Sequence, residues 1–182
     1  MQESALFSTK DWIAANLISA ERLKPETLEA LENFTLIWTI FEGLVCDNSA
    51  TMSRLEKLSA EIVERRRCKA RIERIFSYFK NRYYARNSFT VHFEGLRLRA
   101  TDRKDFIEAV LSGEKTDFES KVSALLIMIY KIHSNLFCGL KSLDMLNSQI
   151  SALNMACKAL ATIIEAHGRH FKRERYTEEL PG

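Results

Sequence analysis

Two prolines and six glycines in a chain of 182 residues leave little material for tight turns, and so little for an architecture of many short strands. Helices are the remaining way to bury a core. No apolar run approaches the ~20 residues that a membrane-crossing helix needs, so no membrane partner is expected. The four cysteines, Cys46, Cys68, Cys138 and Cys157, are scattered without a Cys-x-x-Cys pair, so neither a disulfide framework nor a zinc site is expected. The opening Met-Gln-Glu-Ser lacks a basic run followed by an apolar core, and together with reduced thiols this points to a cytoplasmic location. No motif calls for a cofactor or a metal. The formal charge of +3 is too small to prove a nucleic-acid partner, which makes the placement of the cations matter more than their sum.

Hydrophobic periodicity organises residues 1–182 as one helical domain ending in a polar, frayed tail over 169–182. Ser8 opens a first helix over about 9–22. Pro25, suited to a first helical turn, opens a second that carries Trp38 and Glu42 on one stripe and Phe34, Ile37 and Phe41 on the next. Asp47-Asn48-Ser49 interrupts the pattern and supplies a cap for a third helix bearing Leu55, Leu58 and Ile62. That helix runs into Arg65-Arg66-Arg67 and continues or restarts through Ile72, Ile75, Phe76, Phe79 and Tyr83. Around residues 88–99, Phe89, Val91, Phe93, Leu96 and Leu98 alternate with polar residues, the period of a short hairpin or extended insertion. A short helix from Thr101 ends at Ser112-Gly113, and Thr116-Asp-Phe-Glu119 reads as a capping box for a helix reaching Cys138-Gly139. From Leu143 to His167, steps of three and four describe one regular helix, stopped by Gly168. The expected fold is an all-α bundle with one extended insertion.

One segment carries more than packing information. Ala124-Leu-Leu-Ile-Met-Ile-Tyr-Lys-Ile-His-Ser-Asn-Leu-Phe-Cys-Gly-Leu-Lys141 resembles the signature helix of the HEPN superfamily, one bacterial branch of which has an Ile-Arg-Asn-Asn-Leu-Phe-His-Gly-x-Lys run. Asn135, Leu136, Phe137, Gly139 and Lys141 match that run. Phe34 to Glu42 and Tyr78 to Tyr83 resemble further stretches of the same branch, so the resemblance covers about residues 30–165. It implies a helical bundle, a homodimer, RNA as ligand, and a setting in bacterial or phage defence or a toxin–antitoxin pair with a cognate protein partner. It also places the departures: His133 and Cys138 stand where the family has the Arg and His of its Arg-x4-6-His ribonuclease motif.

Metal-independent cleavage of RNA requires a group that moves the 2′-hydroxyl proton and a fixed cation for the phosphate. His133 lacks the planar fork of Arg, and a thiol at Cys138 is mostly protonated near neutrality. The reading is therefore a degenerate site and an RNA-binding or regulatory protein. Two alternatives stand beside it. An active endoribonuclease could use an adapted His133 and Cys138, or the second Arg-x5-His pattern formed by Arg86 and His92. A protein-interaction module would never meet RNA at all. Plain packing also accounts for His133, within the apolar stripe of its helix, and for Cys138 at the helix end. Glu42 within an apolar stripe needs a donor, for which Arg82 or His133 would serve. The cations Arg66, Arg67, Lys69, Arg74, Lys80 and Arg82 could form a phosphate track with Tyr78 and Tyr84 for stacking. A solvated helix face neutralised by Glu61, Glu64 and Glu73 is the competing account.

Overall fold

Pro25 occupies the first turn of the longest helix in a computed structural model that describes residues 6–17, 23–137 and 143–168. Element α1 is Thr9–Asn16, capped by Ser8, and α2 is Pro25–Val45. The first turn of α2 has no cap from its own neighbourhood. Instead Asn147 Oδ1 accepts from the Lys24 amide at 3.1 Å and from the Thr27 hydroxyl at 2.6 Å. Asp47 and Asn48, both at positive φ (54° and 64°), turn the chain out of α2, and the Asn48 amide returns to the Glu42 carbonyl at 3.0 Å. Thr51, rather than the expected Asp47-Asn48-Ser49 segment, caps α3 (Met52–Val63), accepting from the Arg54 amide.

A 3₁₀ turn at Arg66–Cys68 separates α3 from α4 (Lys69–Tyr83), which fixes the break that periodicity left open. The extended insertion expected around residues 88–99 is corrected. The hairpin lies earlier and is minimal, β1 (Tyr84–Ala85) against β2 (Ser88–Phe89), with Arg86 and Asn87 both left-handed in its turn. Val91–Glu94 is then a one-turn helix, α5. The reason lies in the aromatic side chains. Phe89 and Phe93 stack at 4.5 Å, Phe93 also meets Tyr83, and Leu96 follows into the core, so the buried positions step by four and three. Val91, which the alternating pattern would have made equivalent to Phe93, is 78% exposed.

After a 3₁₀ turn at Ala100–Asp102 come α6 (Lys104–Ser112), closed by a left-handed Gly113, and α7 (Phe118–Phe137). Asp117 caps α7 through the Ser120 amide at 2.8 Å, one residue later than the expected Thr116. The final expected helix is two, α8 (Leu143–Asn147) and α9 (Ile150–His167), and α9 ends at a left-handed Gly168. α9 packs chiefly on α2, and α7 lies among α3, α4 and α6, with α4 bridging α7 and α9. Leu125, Leu126 and Ile127 of α7 are wholly buried with Phe34, Phe41 and Phe79, in one continuous cluster of apolar side chains. The described residues are all-α apart from the hairpin. Among the described residues no helix is long and apolar enough to cross a membrane.

Candidate functional site

His133 lies in the last turns of α7, half-buried, with its ring stacked on Trp38 at 4.1 Å and 15° between planes. Phe34 and Tyr130 complete an aromatic group around the indole. The Trp38 indole N–H donates to Glu42 Oε2 at 3.3 Å, and the Ala50 amide donates to Glu42 Oε1 at 3.0 Å. Glu42 thus accepts from an indole and a backbone amide; of the two donors expected for it, Arg82 is engaged elsewhere and His133 lies within reach of its charge. Burial lowers the His133 pKa below the ordinary imidazole value, and the Glu42 charge opposes that shift. A stacked imidazole held neutral by burial is a poor phosphate clamp. Cys138 and Lys141 lie outside the described residues.

Asn135, one of the residues matching the family run, points to a different neighbour. Its amide nitrogen donates to the Gly95 carbonyl at 3.2 Å and the Leu96 carbonyl at 3.0 Å. One turn earlier on α7, Lys131 meets Asp102 at 2.8 Å, with side chains only 9% and 14% exposed. Burial by itself would raise the Asp102 pKa, but hydrogen bonds from Lys131 and the Arg99 amide, with the Lys131 charge, hold it below the usual carboxylate range. Two polar side chains of α7 therefore pin the segment between α5 and α6.

That segment forms one wall of a cleft of about 420 Å³ whose polar lining includes Arg82, His92, Arg97, Asn135, Ser148 and Gln149. Arg82 Nη2 donates to the Ser148 carbonyl at 3.2 Å and to Gln149 Oε1 at 3.3 Å, and its Nε is buried without a partner. His92 is exposed, its pKa lowered by desolvation and by the Arg82 charge. Arg86 sits in the hairpin turn and is not among the residues lining this cleft, so the cations beside His92 are Arg82 and Arg97.

No known family model, curated protein or solved structure matches the chain.

The expected phosphate track is not one row. On α4, Arg71, Arg74, Tyr78 and Arg82 recur at steps of three and four, while Lys69 and Lys80 fall on the other side, Lys69 over the Phe118 ring at 5.5 Å. Arg67 lines a separate hollow with Arg65, Arg71, Glu64 and Glu165, and the side chain of Arg66 lies outside the described residues. The stripe borders α9: Arg71 pairs with Glu165, and Arg82 reaches Gln149. Lys158 lies exposed two turns before Glu165 on the same face of α9. Two of the acids expected to neutralise the run turn elsewhere, Glu61 to Arg54 and His167 and Glu73 to Lys121. Arg71 belongs to the basic run but not to the expected track, and Arg97 and Lys158 lie outside that run. The four-and-three spacing of Arg71, Arg74, Tyr78 and Arg82 was the available signal. Among the described residues no cluster of His, Cys, Asp or Glu is arranged to hold a metal.

Proposed function

We propose that the chain is a HEPN-like RNA-binding protein that pairs as a homodimer and does not cleave RNA efficiently at its signature helix. The observation that carries the reading is the α4 stripe of Arg71, Arg74 and Arg82 around Tyr78, from which Glu61 and Glu73 are turned away and in which, among the described residues, Arg71 alone pairs with a carboxylate, Glu165. Eleven residues of helix put Arg71 and Arg82 roughly 16 Å apart, a span along which the backbone of a single strand can run with a base on Tyr78. The Trp38–His133 stack supports the absence of cleavage, because it uses the imidazole for packing. The resemblance supports pairing of two copies and a role in defence or a toxin–antitoxin system. Leu36, Ile40 and Leu44, exposed along the outer face of α2, support an apolar contact between copies.

The test is binding of a fluorescent single-stranded RNA across a salt series in EDTA. Each neutralised phosphate contributes about −0.7 to the slope of log affinity against log salt, so Arg74 and Arg82, the stripe cations not paired with a described carboxylate, give roughly −1.4. Arg74→Ala should flatten the slope by about one such step, and the RNA should stay intact with or without His133→Ala. Absence of binding at low salt refutes the reading. Cleavage that disappears with His92→Ala would favour the enzymatic alternative, for which the specific support is His92 beside Arg82 and Arg97 in one cleft. Sedimentation at several concentrations tests the pairing.

A further inference from the structure

The cleft between α5, α7 and the α8–α9 junction is lined by cations without acids. Arg82, Arg97 and His92 line it, and no carboxylate is among its described lining residues. The hollow beside Arg67 and Arg71, by contrast, carries Glu64 and Glu165. Arg82 is only partly engaged: its Nε is buried without a partner, Nη2 makes two long bonds, and its other side-chain neighbour in the cleft is the neutral Tyr83 hydroxyl. A guanidinium so placed favours an anion that supplies short, charge-assisted acceptors.

The remaining lining is apolar, with Leu96, Ile132, Leu136, Met145 and Leu146 behind the cations. An inorganic ion would leave that surface idle. A volume of about 420 Å³ is in the range of small-ligand pockets, roughly 300–1,000 Å³, and the combination of apolar wall and cationic mouth suits a flat body bearing a phosphate. A phosphomonoester carries between one and two negative charges near neutrality, whereas an internal phosphodiester carries one, so the paired guanidiniums of Arg82 and Arg97, with His92 beside them as a hydrogen-bonding imidazole, discriminate in favour of an end. The site is also pre-organised: Asn135 and the Lys131–Asp102 pair hold the wall that presents Arg97.

We propose that this cleft binds a nucleotide through its terminal phosphomonoester, supplied either by the phosphorylated end of an RNA strand or by a free mononucleotide. Arg82 closes the α4 stripe and lines the cleft, so a strand lying on the stripe would end here; that strand-end arm rests on the RNA-binding reading, and the free-nucleotide arm does not.

The experiment titrates the full chain with 5′-phosphorylated, 3′-phosphorylated and unphosphorylated forms of one short RNA, and with uridine and adenosine monophosphates, the two nucleosides and inorganic phosphate. Arg97→Ala and His92→Ala alter exposed side chains of the cleft, and Arg74→Ala is the stripe control. One phosphorylated RNA should bind at least about tenfold tighter than the unphosphorylated form, and Arg97→Ala should erase that difference while Arg74→Ala preserves it. If the RNAs bind alike but a monophosphate binds at least about tenfold tighter than its nucleoside and than phosphate, with loss in Arg97→Ala, the source is the free nucleotide and the proposal stands. If no phosphorylated form exceeds its unphosphorylated counterpart, the proposal is overturned, and salt-dependent binding of unphosphorylated RNA would still leave the stripe reading intact. Preference for the monophosphate with no binding of any RNA sustains the cleft and refutes the stripe.

Discussion

Replacing Lys131 by Met removes the cation from a pair that is nearly enclosed, at 2.8 Å with side chains 9% and 14% exposed. Ion pairs at the surface contribute about 0–1 kcal/mol, whereas breaking a buried one costs about 3–5 kcal/mol because the surviving charge is stranded. Asp102 keeps one donor, the Arg99 amide at 2.9 Å, so the expected loss for Lys131→Met is about 2–4 kcal/mol. In a chain of this length that lowers Tm by roughly 4–16 °C. Asp102→Asn keeps an acceptor for the Arg99 amide but not the charge, and combining it with Lys131→Met should recover about 1–2 kcal/mol relative to the sum of the single changes. Urea unfolding of the four proteins measures this. The pH dependence has a definite sign. Asp102 titrates below its ordinary 3.8 in the fold, so the pair's contribution is fully present above 3.8 and lost as pH falls through the lower folded value. The gap between wild type and Lys131→Met should therefore close on acidification below that point. A loss under about 0.5 kcal/mol with no coupling would show that the pair does not pin the segment between α5 and α6.

Two further outcomes are expected. His133 should titrate below 6.5 by NMR, and Glu42→Gln should lower it further because the carboxylate favours the protonated ring; an upward or absent shift would refute that electrostatic assignment. The same depression means that the unfolded chain binds this proton first, so His133 removes stability as pH falls from about 6.5 through the folded value. Gly113→Ala should cost about 1–2 kcal/mol through its positive φ of 97°, since the nearest side-chain atom, Lys80 Nζ, would sit at an ordinary 3.6 Å; thermal melts identical to wild type would contradict this.

Long periodic helices were legible because burial imposes their spacing directly. Phe34, Trp38, Phe41 and Val45 face inward as expected, and so do Leu55, Leu58 and Ile62. What was illegible depended on partners distant in sequence. Phe89, Phe93 and Leu96 satisfy helical spacing while Phe89, Val91 and Phe93 satisfy strand spacing, and only Tyr83 and Tyr84, packed against the two phenylalanines, decide between them. The steps of three and four from Leu143 to His167 did not say what the helix packs on. Leu153, Leu160 and Ile164 are in fact buried within the chain, where α9 packs on α2. At the site, the inward placement of His133 was readable from its stripe. Its stacking partner, Trp38, sits nearly a hundred residues earlier, and no local pattern announces it. The cleft was invisible for the same reason, assembled from the end of α4, the turn after α5, α7 and the α8–α9 junction.

The cap that Asn147 gives to α2 has a consequence for the order in which the chain can be completed. Residues 25–45 leave the ribosome before α4, α7 and α9, yet the amide of Lys24 and the hydroxyl of Thr27 await an acceptor 120 or more positions downstream. The principal packing partner of α2, α9, is later still. Phe34, Trp38 and Phe41 therefore emerge as unsatisfied apolar surface, and they stay so while most of the polypeptide is synthesised. At 5–20 residues per second, the interval is roughly 6–25 seconds. The closure of α2 is thus a late, long-range event that local helix propensity cannot hasten.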